Sequence, residues 1–316
     1  DLIVAGVSDY LVKPLNNDLL RRSIEIAGGV VGKASASKTG KLIQFISSVG
    51  GAGATTAVSN IGWILSNRHF KRTLVMDSDF MYGTANLMLD VKVEGSYLDI
   101  LESPDKIDDY FVETIMKKCG SRFYYLGGLV DLFRGVEADV PAFEALVTLV
   151  KRQFNYLLVD SQRDLSPINK IYMEKADCFV IVIEMSVASA SNAVRLIEYL
   201  NTGYPEKRII IMANKIGLSA GGALTRELFE KVIERKIDYS MPFEENVALA
   251  AANIGQPLAI SPGPISNVLE NIANDILGKQ ESKNVEQAIL EKEGWTAERI
   301  KNLTFEILNK IIDRLK

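Results

Sequence analysis

Between Lys41 and Gly278, short and almost wholly apolar runs recur, each followed by a segment with helical spacing. That alternation limits the fold more than any other feature of the chain. The runs are Leu42–Ile46, Thr73–Met76, Arg122–Leu126, Tyr156–Val159, Phe179–Ile183 and Arg208–Met212. A strand that is apolar on both sides has to be covered on both, which is the condition of a buried parallel sheet. Helices between successive strands supply the cover through right-handed crossovers. The expectation is an α/β domain over 41–278 with a doubly wound, mostly parallel sheet.

The flanks read differently. Residues 1–28 show a short strand (Tyr10-Leu11-Val12), a Lys13-Pro14 turn and a helix from Asp18 to Ile26. Residues 29–40 are rich in Gly, Ser, Ala and Lys without apolar period, and read as a linker. The segment 279–316 is a C-terminal helical extension, with Ile300, Leu303, Ile307, Ile311 and Leu315 at helical spacing. Because the first residue is Asp1 rather than Met, the chain reads as a piece of something longer.

The first strand runs into Ser47-Ser48-Val49-Gly50-Gly51-Ala52-Gly53-Ala54-Thr55-Thr56, and a helix follows. Backbone amides from Gly50 to Thr56 can wrap phosphate oxygens there, and a helix N-terminus favours negative charge. Thr55 offers a hydroxyl to Mg²⁺. A tight strand-to-helix turn needing small residues is the competing reading of the glycines taken alone. Downstream, Leu74-Val75-Met76-Asp77-Ser78-Asp79 and Tyr156-Leu157-Leu158-Val159-Asp160 are apolar strands that end in carboxylates.

This ordered set resembles the ParA/MinD superfamily of deviant Walker A P-loop ATPases over roughly Leu42–Leu277. The resemblance implies a P-loop NTPase domain that binds ATP with Mg²⁺ and pairs as a homodimer. It assigns Asp77 to the metal side, Asp79 to the attacking water as the catalytic residue, and Asp160, on a Walker B-like strand, to the cation. Asn214 and Pro242 fall where the family packs beside the adenine, although a capping or turn role explains Asn214 equally well. The departure is in the loop: the family's two lysines are replaced by Val49 and Ala54. Losing both cations leaves nucleotide binding feasible and makes fast phosphoryl transfer hard to support. Arg163 is a nearby basic residue able to substitute.

Gly6 to Leu15 resembles the end of a receiver domain, without the segment that carries its phosphoacceptor. A receiver-like remnant followed by a lysine-poor P-loop resembles the TadZ/CpaE group. That implies a scaffold for Flp/Tad pilus and secretion machinery at a bacterial cell pole, cytoplasmic or peripheral to the inner membrane. An active ATPase partitioning another cargo is the alternative, and an interaction module without nucleotide is a third reading.

Composition narrows the remaining classes. The net charge is −4, so no global basic field draws the chain to nucleic acid. Two cysteines and one histidine, His69, cannot form a usual zinc site. Runs such as Cys178–Ile183 are too short to span a bilayer. Residues 297–316 carry five Lys/Arg against three Asp/Glu, too mild a charge to read as membrane binding. Packing onto its own domain is the better reading of that helix, with dimer pairing and membrane contact as alternatives.

Overall fold

The structure, a computed structural model, describes residues 39–92, 107–127, 139–218 and 223–279. The expected receiver-like segment lies outside the described residues. So do all of the linker but Thr39 and Gly40, and all of the C-terminal extension but Lys279.

In chain order the elements are β1 (Lys41–Ser47), α1 (Ala54–Asn67), β2 (Thr73–Asp77), α2 (Ala85–Met88), α3 (Asp109–Ile115) and β3 (Lys117–Lys118). Then come β4 (Phe123–Leu126), α4 (Val140–Gln153), β5 (Tyr156–Ser161), α5 (Pro167–Lys175), β6 (Cys178–Ile183) and α6 (Val187–Gly203). The described chain closes with β7 (Arg208–Ile216), α7 (Arg226–Ile233), β8 (Tyr239–Pro242), α8 (Glu245–Asn253), a 3₁₀ turn (Leu258–Ile260) and α9 (Pro264–Leu277).

Among the described residues the strands form one eight-stranded sheet in the order β3-β4-β2-β5-β1-β6-β7-β8. Every pairing is parallel except β3 with β4. Both faces are apolar, as the runs demand. Phe179, Ile181 and Ile183 of β6 face one core with α4, α5, α6 and α7, while Val180 and Val182 face the other with α1 and α9. The doubly wound α/β expectation is therefore met.

Local chemistry sets the helix starts. Asp139, Ser166, Ser186 and Thr225 each accept a backbone N–H of the first turn, and Pro141 and Pro167 occupy early positions where no N–H is needed. At the glycine loop there is no such cap: α1 starts from Gly53 with no side-chain partner and no acidic residue in its first turn. Its orphan amides are left pointing beyond the C-terminal end of β1.

Two details differ from the sequence reading. No strand is expected around Pro242, yet a short edge strand, β8, ends at this proline, and the N–H of Phe243 beyond it donates to Ile216 O at 2.8 Å. The strand expected over Arg208–Met212 runs on to Ile216, with an irregular register against β8 between Ala213 and Ile216.

Helix α1 lies close to the sheet because Gly62 has no side chain. A Cβ there would stand 2.8 Å from Val75 Cγ2 and 2.9 Å from Phe123 Cε2, both in the core. Gly62→Ala should therefore lower stability by about 1–3 kcal/mol through overpacking, despite alanine's better helix propensity. Gly203→Ala, at the open end of α6 where an added Cβ meets nothing within 4 Å, should be neutral or stabilising. Urea unfolding of the two variants checks the contrast.

Candidate functional site

Strand β1 is central, between β5 and β6, so the loop that leaves it sits at the middle of the sheet's C-terminal rim. Gly51 (φ 75°) and Gly53 (φ 102°) take left-handed backbone that other residues resist. Three side chains fasten the loop from outside. Asn214 Nδ2 donates to Ala52 O at 2.7 Å, Lys215 Nζ donates to Gly51 O at 2.7 Å, and Asn192 Nδ2 donates to Ser48 O at 2.9 Å. A Cβ on Gly53 would stand 2.2 Å from Asn214 Nδ2, so the second glycine is fixed by contact as well as by torsion.

Val49 and Ala54 hold the two places where lysines are expected. Ala54 is buried at the start of α1, and Val49 is a partly buried residue packed against the same core. Both positions serve packing here and bring no charge to the loop.

The carboxylates arrive on two adjacent strands. Asp77 and Asp160 are paired residues in the β2–β5 register, and both are buried. Burial pushes Asp77 up to about 6, against the pull of its hydrogen bonds. Burial first, and then the Asp77 charge, pushes Asp160 up to about 7, opposed by a hydrogen bond from Thr55. Asp77 accepts from the backbone N–H of Asp79 (3.0 Å) and of Ala85 (3.2 Å), so it organises the turn that follows β2. Asp79 Oδ1 accepts from Tyr82 N (2.9 Å), Met81 N (3.3 Å) and Gln162 Nε2 (2.7 Å).

A cavity of about 400 Å³ lies between the loop and these strands. Gly50, Gly51, Ala54 and Thr55 form one wall; Asp79, Asp160 and Gln162–Asp164 form another. The structure thus brings Thr55, Asp79 and Asp160 to one space. Asp77 stands behind that wall, Asn214 is turned into the loop, and Pro242 lines a neighbouring cavity with Lys215 and Ile216. Among the described residues no three His, Cys, Asp or Glu side chains form a group able to hold a metal alone. One or two carboxylates, a threonine hydroxyl and ligand phosphates are, however, what Mg²⁺ ordinarily takes, and Thr55 beside Asp160 fits that donor set.

Gln162, Lys215 and Asn192 were missed by sequence reasoning. Gln162 follows the Asp160 strand within two residues and Lys215 directly follows Asn214, so proximity to a motif is the signal by which they could have been found. Asn192, in the middle of α6, has no such signal.

A model of the AAA domain family matches residues 40–211. The septum site-determining protein MinD of Bacillus subtilis is 25% identical over 251 residues, which cover 76% of this chain and 90% of that protein. The crystal structure of a ParA family ATPase from Chlorobium tepidum shares the fold with a TM-score of 0.68 at 21% identity, covering 75% of this chain and 98% of that one. The Pyrococcus horikoshii MinD structure, a complex with Mg-ADP, does so with a TM-score of 0.64 at 19% identity, covering 75% and 95%. The chain belongs to the AAA domain family and is of the ParA/MinD type within it.

Proposed function

We propose that the protein binds ATP with Mg²⁺, pairs as a homodimer in the nucleotide-bound state, and works as a nucleotide-gated scaffold that hydrolyses slowly or not at all. One observation carries this reading. The glycine loop, Thr55, Asp79 and Asp160 stand together around one cavity, while the two lysine positions are filled by Val49 and Ala54 packed into the core. Amides at the start of α1 and a metal held by Thr55 and Asp160 bind phosphate without lysine. Bound Mg²⁺ would supply charge neutralisation there, and it would relieve the repulsion between Asp160 and its neighbour Asp77. Asp79, held by Gln162, is placed to orient a water. What the loop itself lacks is a lysine to stabilise charge developing during phosphoryl transfer. The Mg-ADP complex of a MinD with the same fold agrees with the ligand class.

The scaffold's client in this reading is Flp/Tad pilus machinery at a cell pole. Its support is the TadZ/CpaE resemblance of the receiver-like segment followed by a lysine-poor loop. A working ATPase that partitions another cargo is the second reading, favoured by Gln162 and the two backbone N–H groups that hold Asp79 in one orientation.

Calorimetric titration of ATP with Mg²⁺, with released phosphate measured in the same sample, separates the two. Saturable binding with turnover far below about 1 s⁻¹, the lower end of ordinary enzyme rates, is expected. Turnover at or above that rate establishes the second reading instead, and absence of binding removes both.

If the missing lysine is what limits chemistry, Ala54→Lys should raise phosphate release about tenfold or more, since one transition-state donor carries about a hundredfold. Adding Asp79→Asn to that variant should abolish the gain. Gly53→Ala should weaken ATP binding by about tenfold or more, because left-handed torsion and the Asn214 contact together expel a Cβ. Unchanged affinity in Gly53→Ala would mean that the loop is not the phosphate site.

A further inference from the structure

The cavity presents a charge problem that the loop does not solve. Its lining carries three carboxylates, Asp79, Asp160 and Asp164, and the ligand proposed for it is a polyanion. Two basic side chains reach the loop. Lys215 Nζ donates to Gly51 O and lies on the far side, lining the neighbouring cavity. Arg163 Nη1 lies 3.2 Å from Ser48 O, and its Nη2 is 3.6 Å from where a Cβ on Gly50 would be. Among the described residues lining the phosphate cavity, Arg163 is the only cation.

The position of Arg163 is informative. It sits on the connection after β5, next to Gln162, whose amide holds Asp79. The guanidinium therefore enters beside the carboxylates and meets the loop at its first glycine. Its bond to the loop ends on a carbonyl that Asn192 also serves, so the loop does not need Arg163 for its shape. Arg163 is moreover an exposed residue. A guanidinium keeps its charge at any working pH and offers a planar fork that matches phosphate oxygens two at a time.

We infer that Arg163 is the phosphate-binding cation of this site, taking over from the missing loop lysines, and that it reads the terminal phosphate, so that the protein distinguishes ATP from ADP through it. Lys215 acts differently, because its charge is engaged with the Gly51 carbonyl and holds the loop for any nucleotide. The inference rests on the nucleotide reading above and adds which residue discriminates between nucleotides.

The test is calorimetric titration of ATP and, separately, of ADP, each with Mg²⁺, into the unaltered protein and into Arg163→Ala, Arg163→Lys and Lys215→Met. Thermal melting without nucleotide confirms that each variant is folded. In Arg163→Ala, ATP affinity should fall about tenfold or more, the effect of one charge-assisted contact, with ADP affinity held within about twofold. Arg163→Lys should recover part of the ATP affinity, and Lys215→Met should weaken both nucleotides by the same factor. Equal loss for ATP and ADP in Arg163→Ala, or no loss, overturns the inference while leaving the nucleotide reading intact. So does a loss selective for ATP in Lys215→Met, which would make Lys215 the discriminating cation. Failure of the unaltered protein to bind either nucleotide removes the nucleotide reading, and the inference with it.

Discussion

A parallel sheet buried on both faces leaves its chemistry one place to go. Both sides of β1, β5, β6 and β7 are sealed by helices, so polar groups of any consequence collect at the C-terminal rim, where the strands hand over to loops. Parallel pairing in register then does the positioning. Asp77 and Asp160 become neighbours because β2 and β5 pair residue for residue, and the loop after β1 stands beside them because β1 pairs with β5. Nothing in the site depends on a long excursion of the chain.

The same geometry explains why the loop keeps its shape without its usual lysines. Its conformation is held by Gly51 and Gly53, by the Asn214 amide on Ala52 O, by the Lys215 ammonium on Gly51 O and by Asn192 on Ser48 O. None of these contacts involves positions 49 or 54. Val49 and Ala54 turn instead into the core shared by α1 and α9, where a lysine would have brought charge to the loop and no packing. Shape and charge, which a lysine-bearing loop supplies together, are here separable. Binding draws on the first, and rapid phosphoryl transfer on the second.

Much of this was legible in the sequence because it is written in local pattern. The six apolar runs gave their strands, and the glycine run and the strand-end carboxylates fell at the rim as their spacing implied. What escaped was non-local. β3 has only two residues, both lysines, and pairs antiparallel at an edge, so it leaves no apolar signature. β8 is four residues long and ends in a proline, so it carries no apolar run. The clamp of Asn214 on Ala52 joins residues 162 apart, and no periodicity records such a pairing. Asp77 shows the complementary limit: nothing in the sequence records that this strand-end carboxylate accepts the backbone N–H groups of Asp79 and Ala85 and so organises the turn after β2.

His69 helps tie the far end of α1 into the fold. The single histidine follows α1 and is not idle there. Its Nε2 lies 2.7 Å from Glu270 Oε1 on α9, and Arg68 pairs with the same carboxylate at 2.6 Å. Burial lowers the imidazole's affinity for a proton, while Glu270 works against that shift. Arg68 also reaches Ala259 O and Ser266 Oγ. The end of α1 is thus pinned to α9 and the 3₁₀ turn by polar contacts, at the opposite pole from the glycine loop. An anion drawn to the N-terminus of α1 therefore meets a helix whose far end is already fixed, so the loop receives its ligand without having to carry the helix along.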